Sequence, residues 1–138
     1  MSKTLFWLLL LAFGSELFAD FKQSFLLTLK KDELERIEVR DASGVRLFAF
    51  RWTLFKNGGL VIHRAYDKIS SQNILYQREK NRSFRVELQS RGKNYANLPY
   101  LLVVFKEFAN KEAVFEILLY DKLDQIHLKR LKSSDAQS

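Results

Sequence analysis

The sequence predicts an all-β fold, an antiparallel sandwich of two packed sheets with about eight or nine strands. A closed β-barrel is the alternative. Three observations lead there. After Asp20 the apolar residues recur mostly with a period of two, which places alternate side chains on opposite faces of a strand. Short runs rich in aromatic and β-branched residues follow one another about every ten residues, with turn signals between them. The pair Asn57-Gly58 lies between two such runs, where a tight hairpin needs positive φ at both central positions.

The elements follow in order. Phe25, Leu27 and Leu29 alternate, as do Ile37 and Val39 against Arg36, Glu38 and Arg40. Between them Asp32 to Arg36 contains good helix formers and admits one helical turn. Val45 to Phe55 is apolar on both faces, with Leu47 and Ala49 against Phe48, Phe50, Trp52 and Leu54, the pattern of a central strand covered on both sides. Leu60-Val61-Ile62-His63 follows the Asn-Gly turn, and Ile74-Leu75-Tyr76 is a shorter run. Phe84, Val86 and Leu88 form one face of a half-buried strand. Pro99 precedes Tyr100 to Phe105, at a position where a missing N–H does least harm. Ala113 to Tyr120 and Ile126 to Leu128 complete the set.

The first nineteen residues read as an address. Lys3 is followed by an unbroken apolar run from Leu5 to Phe13, then Gly14-Ser15, and Ala19 precedes Asp20. A positive start, an apolar centre and a small residue before a polar one describe a secretory signal peptide over residues 1–19. A membrane-spanning helix needs roughly 20 apolar residues, and Glu16 interrupts too early for that. Lys3 and Glu16 cancel, so the exported product keeps the whole net charge of +7. Residues 20–132 then form one domain, because 138 residues divided in two would leave cores too small for stability. Residues 133–138 form a polar, frayed tail. An apolar content of 47% is too high for a disordered chain. The absence of Cys excludes disulfide staples, thiolate metal sites and Cys nucleophiles. An exported domain that relies on its core rather than on oxidation suits a bacterial periplasm, with no transmembrane span after the leader is removed.

Two features carry candidate chemistry. In Glu79-Lys80-Asn81-Arg82-Ser83, Asn-x-Ser without an intervening Pro is a glycosylation acceptor. With the acid two places before Asn81, the segment resembles the extended acceptor of the epsilon-proteobacterial general N-glycosylation systems. That resemblance implies an oligosaccharyltransferase that docks Ser83 by its hydroxyl, meets Glu79 with a cationic group and places the sugar on Asn81. The second feature is charge. Arg64, Lys68, Arg78, Lys80, Arg82, Arg85, Arg91 and Lys93 face only three acids, Asp67, Glu79 and Glu87, within thirty residues. Such a stretch can bind a polyanion, namely anionic glycan, lipopolysaccharide or DNA. Tyr66, Tyr76 and Tyr95 among these charges could stack on bases or sugars. The chain has no recognised nucleic-acid motif, and export removes the usual nucleic-acid targets.

His63 and His127 lack a partner at metal-ligand spacing, so no metal and no cofactor is expected. No G-x-S-x-G elbow or H-E-x-x-H motif is present, and the acid pairs Asp32 with Glu33 and Asp121 with Asp124 read as solvated turn charge. Trp52 reads as core rather than as a ligand box. The stretch from Phe50 to Val61 and the later Leu98 to Lys106 resemble short exported proteins of unknown function from epsilon-proteobacteria. That likeness implies a periplasmic address and no catalytic residue. The expectation is therefore a non-enzymatic interaction or accessory module of the cell envelope, with an envelope protein as partner. The alternative is a cationic binder of anionic glycan, lipopolysaccharide or DNA.

Overall fold

The computed structural model describes residues 21–78, 80–89 and 97–131, and these contain nine strands and no helix. The expected leader (1–19) and tail (133–138) lie outside the described residues, as do Glu79, Arg91, Lys93 and Tyr95. The strands are β1 (Gln23–Lys30), β2 (Glu35–Asp41), β3 (Gly44–Lys56), β4 (Gly59–Tyr66), β5 (Ile69–Tyr76), β6 (Ser83–Glu87), β7 (Tyr100–Ala109), β8 (Glu112–Tyr120) and β9 (His127–Leu131). They form two antiparallel sheets, one of four strands in the order β1-β8-β7-β6 and one of five in the order β5-β4-β3-β2-β9. Both sheets have two ends, so the fold is the sandwich and not the barrel.

The core lies between the sheets and is largely aromatic. Phe50 is fully enclosed, stacked 5.5 Å from Phe48 and edge-on to Phe115 at 5.2 Å and to Phe84 at 6.2 Å. It therefore joins β3 of one sheet to β6 and β8 of the other. Burying each such ring stabilises the fold by roughly 1.5–3 kcal/mol. Trp52 is core as expected, and its indole Nε1 donates to the Leu29 carbonyl at 2.8 Å.

Three hairpins turn through two residues with positive φ: Asn57 (54°) and Gly58 (79°), Asp67 (50°) and Lys68 (71°), and Asn110 (54°) and Lys111 (62°). All match the right-handed twist of the strands they join. The helical turn expected over Asp32 to Arg36 is absent. Asp32 takes φ 65°, which a right-handed helix forbids, and β2 begins at Glu35.

β3 corrects a second expectation. Its outer face is not covered: Val45 and Leu47 are exposed, and so is Leu54 at 48%. The register slips between Trp52 and Leu54, so the extra residue Thr53 turns Leu54 outward and Phe55 inward. A matching slip in β7 between Phe105 and Glu107 leaves Phe108 on the inner side, where it stacks on Phe55 at 4.0 Å. The Tyr100 to Phe105 run has one fully buried face (Leu101, Val103, Phe105), with Leu102 and Val104 only half-buried on the other.

Candidate functional site

Each sheet of a sandwich has two edges, and what occupies an edge strand's free backbone groups decides whether another chain can pair there. In the four-stranded sheet a side chain caps one carbonyl on each edge strand. On β1 the Leu29 carbonyl takes the Trp52 indole N–H. Beside β6 the Arg85 carbonyl accepts from Arg64 Nη1 at 3.0 Å and the Leu88 carbonyl from the Tyr66 hydroxyl at 2.6 Å. In the five-stranded sheet, β9 carries Lys129 and Arg130, and Arg130 is held by two hydrogen bonds (2.7 and 3.0 Å) to the buried carboxylate of Glu35.

β5 differs from all three. Its sequence, Ile-Ser-Ser-Gln-Asn-Ile-Leu-Tyr, contains no charge and no Pro. One side pairs in continuous register with β4 from Gly59↔Tyr76 to Tyr66↔Ile69. The Tyr76 N–H turns away from β4 and donates to the Asn81 carbonyl at 2.9 Å. By the strand's period of two, the N–H and C=O of Ile74, Gln72 and Ser70 also point away from β4. Among the described residues these outward groups have no backbone or side-chain partner, and Ser70 and Gln72 are exposed.

Behind this free row, between β5 and the facing β6, lies a cleft of about 260 Å³ lined by Arg64, Tyr66, Ile69 and Ser71 and, from β6, by Arg85, Val86 and Glu87. Arg64 crosses it from β4, with its guanidinium carbon 4.6 Å from the centre of the Phe84 ring. Burial pushes the Arg64 guanidinium below its ordinary pKa. Its Nε is buried without a hydrogen-bond partner, and so is Asn73 Oδ1 on the same face of β5. The third such atom, Arg36 Nη2, belongs to β2. An unsatisfied buried polar group carries a full desolvation penalty, so Arg64 at the cleft and Asn73 two residues along β5 from Ser71 mark a stretch of this edge able to take additional hydrogen bonds.

The end of the cleft near Tyr66 is held by a buried network. Asp41 accepts from the Ser43 backbone N–H (2.9 Å) and hydroxyl (2.6 Å), from Arg46 (3.0 Å) and from Gln89 (3.2 Å). Desolvation alone would raise its pKa; the bonds from Ser43, Gln89 and Arg46 outweigh this and bring it from the ordinary 3.8 to about 2. Tyr66 is pushed upward by burial, against the opposing pull of Arg46.

The basic residues singled out in the sequence do not form one flat patch. Lys68 sits in the turn at one end of β5, while Arg78, Lys80 and Arg82 lie exposed around the turn at its other end. Arg64 and Arg85 stand between these groups, Arg85 with its guanidinium 3.7 Å over the Tyr100 ring. Asn81 is exposed, and Ser83 is the first residue of β6, paired with Val104. His63 lies on the outer face of β4, 3.1 Å from Thr53 Oγ1, and His127 is on β9 beside Arg40. Three strands' width separates them, and among the described residues no group of three or more His, Asp or Glu converges.

Asp121 corrects the reading of the acid pairs as solvated. It is buried and accepts from the backbone N–H of Gln125 (2.9 Å) and Ile126 (2.7 Å) and from Lys22 Nζ (3.1 Å). It shapes the loop that carries the chain from one sheet to the other. The free row on β5 went unnoticed in the sequence, although its signal is present: nine uncharged residues between Lys68 and Arg78, inside the most basic stretch of the chain. Comparison with family models, curated proteins and solved structures finds no match for this chain.

Proposed function

We propose that this protein is an exported, non-catalytic binding module of the bacterial envelope, and that it engages a partner polypeptide by strand addition to β5. The observation that carries this reading is the uncharged β5 edge, which offers outward N–H and C=O groups at Ser70, Gln72 and Ile74, whereas β1 and β6 each have a carbonyl capped by a side chain and β9 is charged. Main-chain pairing supplies affinity in such an arrangement, and the cleft beside the strand supplies selectivity. The leader pattern in residues 1–19 supports the periplasmic address. The test is co-purification from intact envelope, comparing the parent with Gln72→Pro, which removes an outward donor and leaves the β4 ladder untouched. A partner retained by the parent and lost with the variant supports the reading. An identical set of co-purifying proteins overturns it, as does a product that keeps Met1 in the membrane fraction.

A second reading, binding of anionic glycan or lipopolysaccharide, draws on the exposed cations at Lys68, Arg78, Lys80 and Arg82. It predicts salt-dependent retention on heparin that is lost when these four are neutralised. Glycosylation at Asn81 fits the exposed side chain and its acceptor context, and an unchanged mass after Asn81→Gln in a glycosylating host removes it.

A further inference from the structure

Building on the strand-addition reading, we propose that the segment received by β5 is acidic: an extended peptide whose Asp or Glu side chain enters the cleft to meet Arg64, with a hydrogen-bond donor such as Ser or Thr two residues away to meet Asn73.

The register dictates this spacing. Arg64 is paired with Ser71, and Ile62 with Asn73, so the two rows lie side by side on the inner face of the sheet. A strand added to β5 continues both rows outward. Its residue beside Ser71 points to the same side as Arg64, and its residue beside Asn73, two positions along, points inward as well. Adjacent strands lie about 4.8 Å apart, so the new side chain stands roughly 10 Å from the β4 backbone. Arg64 already spans the gap between the sheets, since it reaches the Arg85 carbonyl on β6. Its Nε–H lacks an acceptor and Asn73 Oδ1 lacks a donor. A carboxylate at the first position and a hydroxyl at the second supply the two missing bonds.

Charge selects the same occupant. Lys68 stands beside Asp67 at one end of the free row, Arg78, Lys80 and Arg82 at the other, and Arg64 with Glu87 of β6 at the cleft between them, so cations outnumber acids around the row. An antiparallel second copy would bring the Lys68 end of one edge against the Arg78 to Arg82 end of the other. It would also offer Arg64 no carboxylate, because β5 has none. A free glycan could meet the cations but has no row of amides and carbonyls for Ser70, Gln72 and Ile74. Elsewhere the candidates are weaker. A cleft of about 420 Å³ on the outer face of β2 and β9 has Glu38 among its cations Arg40 and Lys129, and no unsatisfied buried atom lines it.

The probe is an acetylated and amidated peptide, Val-Thr-Val-Glu-Val-Thr-Val, which carries Thr two residues to either side of Glu and so fits in either strand direction. The control has Gln in place of Glu. Both are titrated into isotope-labelled protein at low salt. The expected result is amide shift changes at Ser70, Gln72 and Ile74, with the Glu peptide bound about tenfold more tightly or better, the yield of one charge-assisted hydrogen bond. In Arg64→Gln the two peptides bind alike while the β5 shifts persist. Gln72→Pro and Ser70→Pro each abolish binding of both, and Arg64→Gln keeps the test independent of any proline variant that fails to fold. Equal binding of the two peptides by the parent, with β5 shifts, overturns the acidic selectivity and leaves the strand-addition reading intact. No β5 shift with either peptide overturns both. A dimer in sedimentation that Gln72→Pro dissolves makes a second copy the occupant and overturns the proposal.

Discussion

β5 and β6 face each other across the open side of the sandwich and meet the same problem in opposite ways. Both are edge strands, each with one row of backbone groups that no neighbouring strand uses. On the β6 side, two residues of β4 reach across and occupy the carbonyls, Arg64 at Arg85 and Tyr66 at Leu88. Among the described residues β5, which lies next to β4, receives no such cover beyond the bond from Tyr76 to Asn81. The same two side chains that blunt one edge also form the walls of the cleft beside the other. Edge protection is thus a local choice of side chains: one capped carbonyl on β1 and on β6, charge on β9, and among the described residues neither on β5.

Four experiments break or sharpen this contrast, in descending order of expected effect. Phe50→Ala removes the ring that links β3 to β6 and β8, and so should loosen the frame that holds the two edges face to face. It should cost about 3–5 kcal/mol in urea unfolding. Acid acts next, on the network at the end of the cleft. Asp41 has a folded-state pKa of about 2 against an ordinary 3.8, so the stability it contributes is complete above pH 3.8 and is lost as the pH falls through about 2. In Asp41→Asn, a lower plateau stability with a flatter acid limb over that window is expected. A carbon-detected titration of Asp41 checks the direction.

Tyr66→Phe removes the hydroxyl that caps the Leu88 carbonyl beside β6. It should cost about 1–1.5 kcal/mol, because the Leu88 carbonyl then keeps only the long bond from Arg46 Nη1 at 3.4 Å. On β5, Gln72→Ala should stay within about 0.5 kcal/mol, because the side chain is exposed and makes no hydrogen bond among the described residues. Equal costs at the two sites would erase the contrast. A gain rather than a loss is expected at a hairpin remote from both edges. Lys111 holds φ 62°, where a side chain is strained, and Lys111→Gly should stabilise the protein by about 0.5–1 kcal/mol in thermal unfolding.

The fold class was legible because alternation and hairpin chemistry are local properties. Phe84, Val86 and Leu88 declare a face without reference to any partner, and Asn57-Gly58 declares a turn. What escaped depends on neighbours distant in sequence. The bulge at Thr53 turns Leu54 outward, and no periodicity within the strand announces the extra residue. The first half of β5, Ile-Ser-Ser-Gln-Asn, is a strand because β4 pairs with it rather than because of its own propensity. Asp121 looked like turn charge, and it is buried because Lys22, almost a hundred residues earlier, closes over the same loop. For the site, the concentration of cations from Arg64 onward was visible. Its division around a free edge was not, since being an edge is a property of strand order.

The bond from Tyr76 to Asn81 has a consequence for kinetics. It ends the free row on that side, leaving three residues with outward groups, Ser70, Gln72 and Ile74. A guest laid there can overrun the Ile69 end but meets a stop at the other, so its alignment is fixed from one side, as by a ruler with a raised lip. So short a track yields modest grip per visit. Rapid exchange follows, with occupancy governed by how many guests stand nearby.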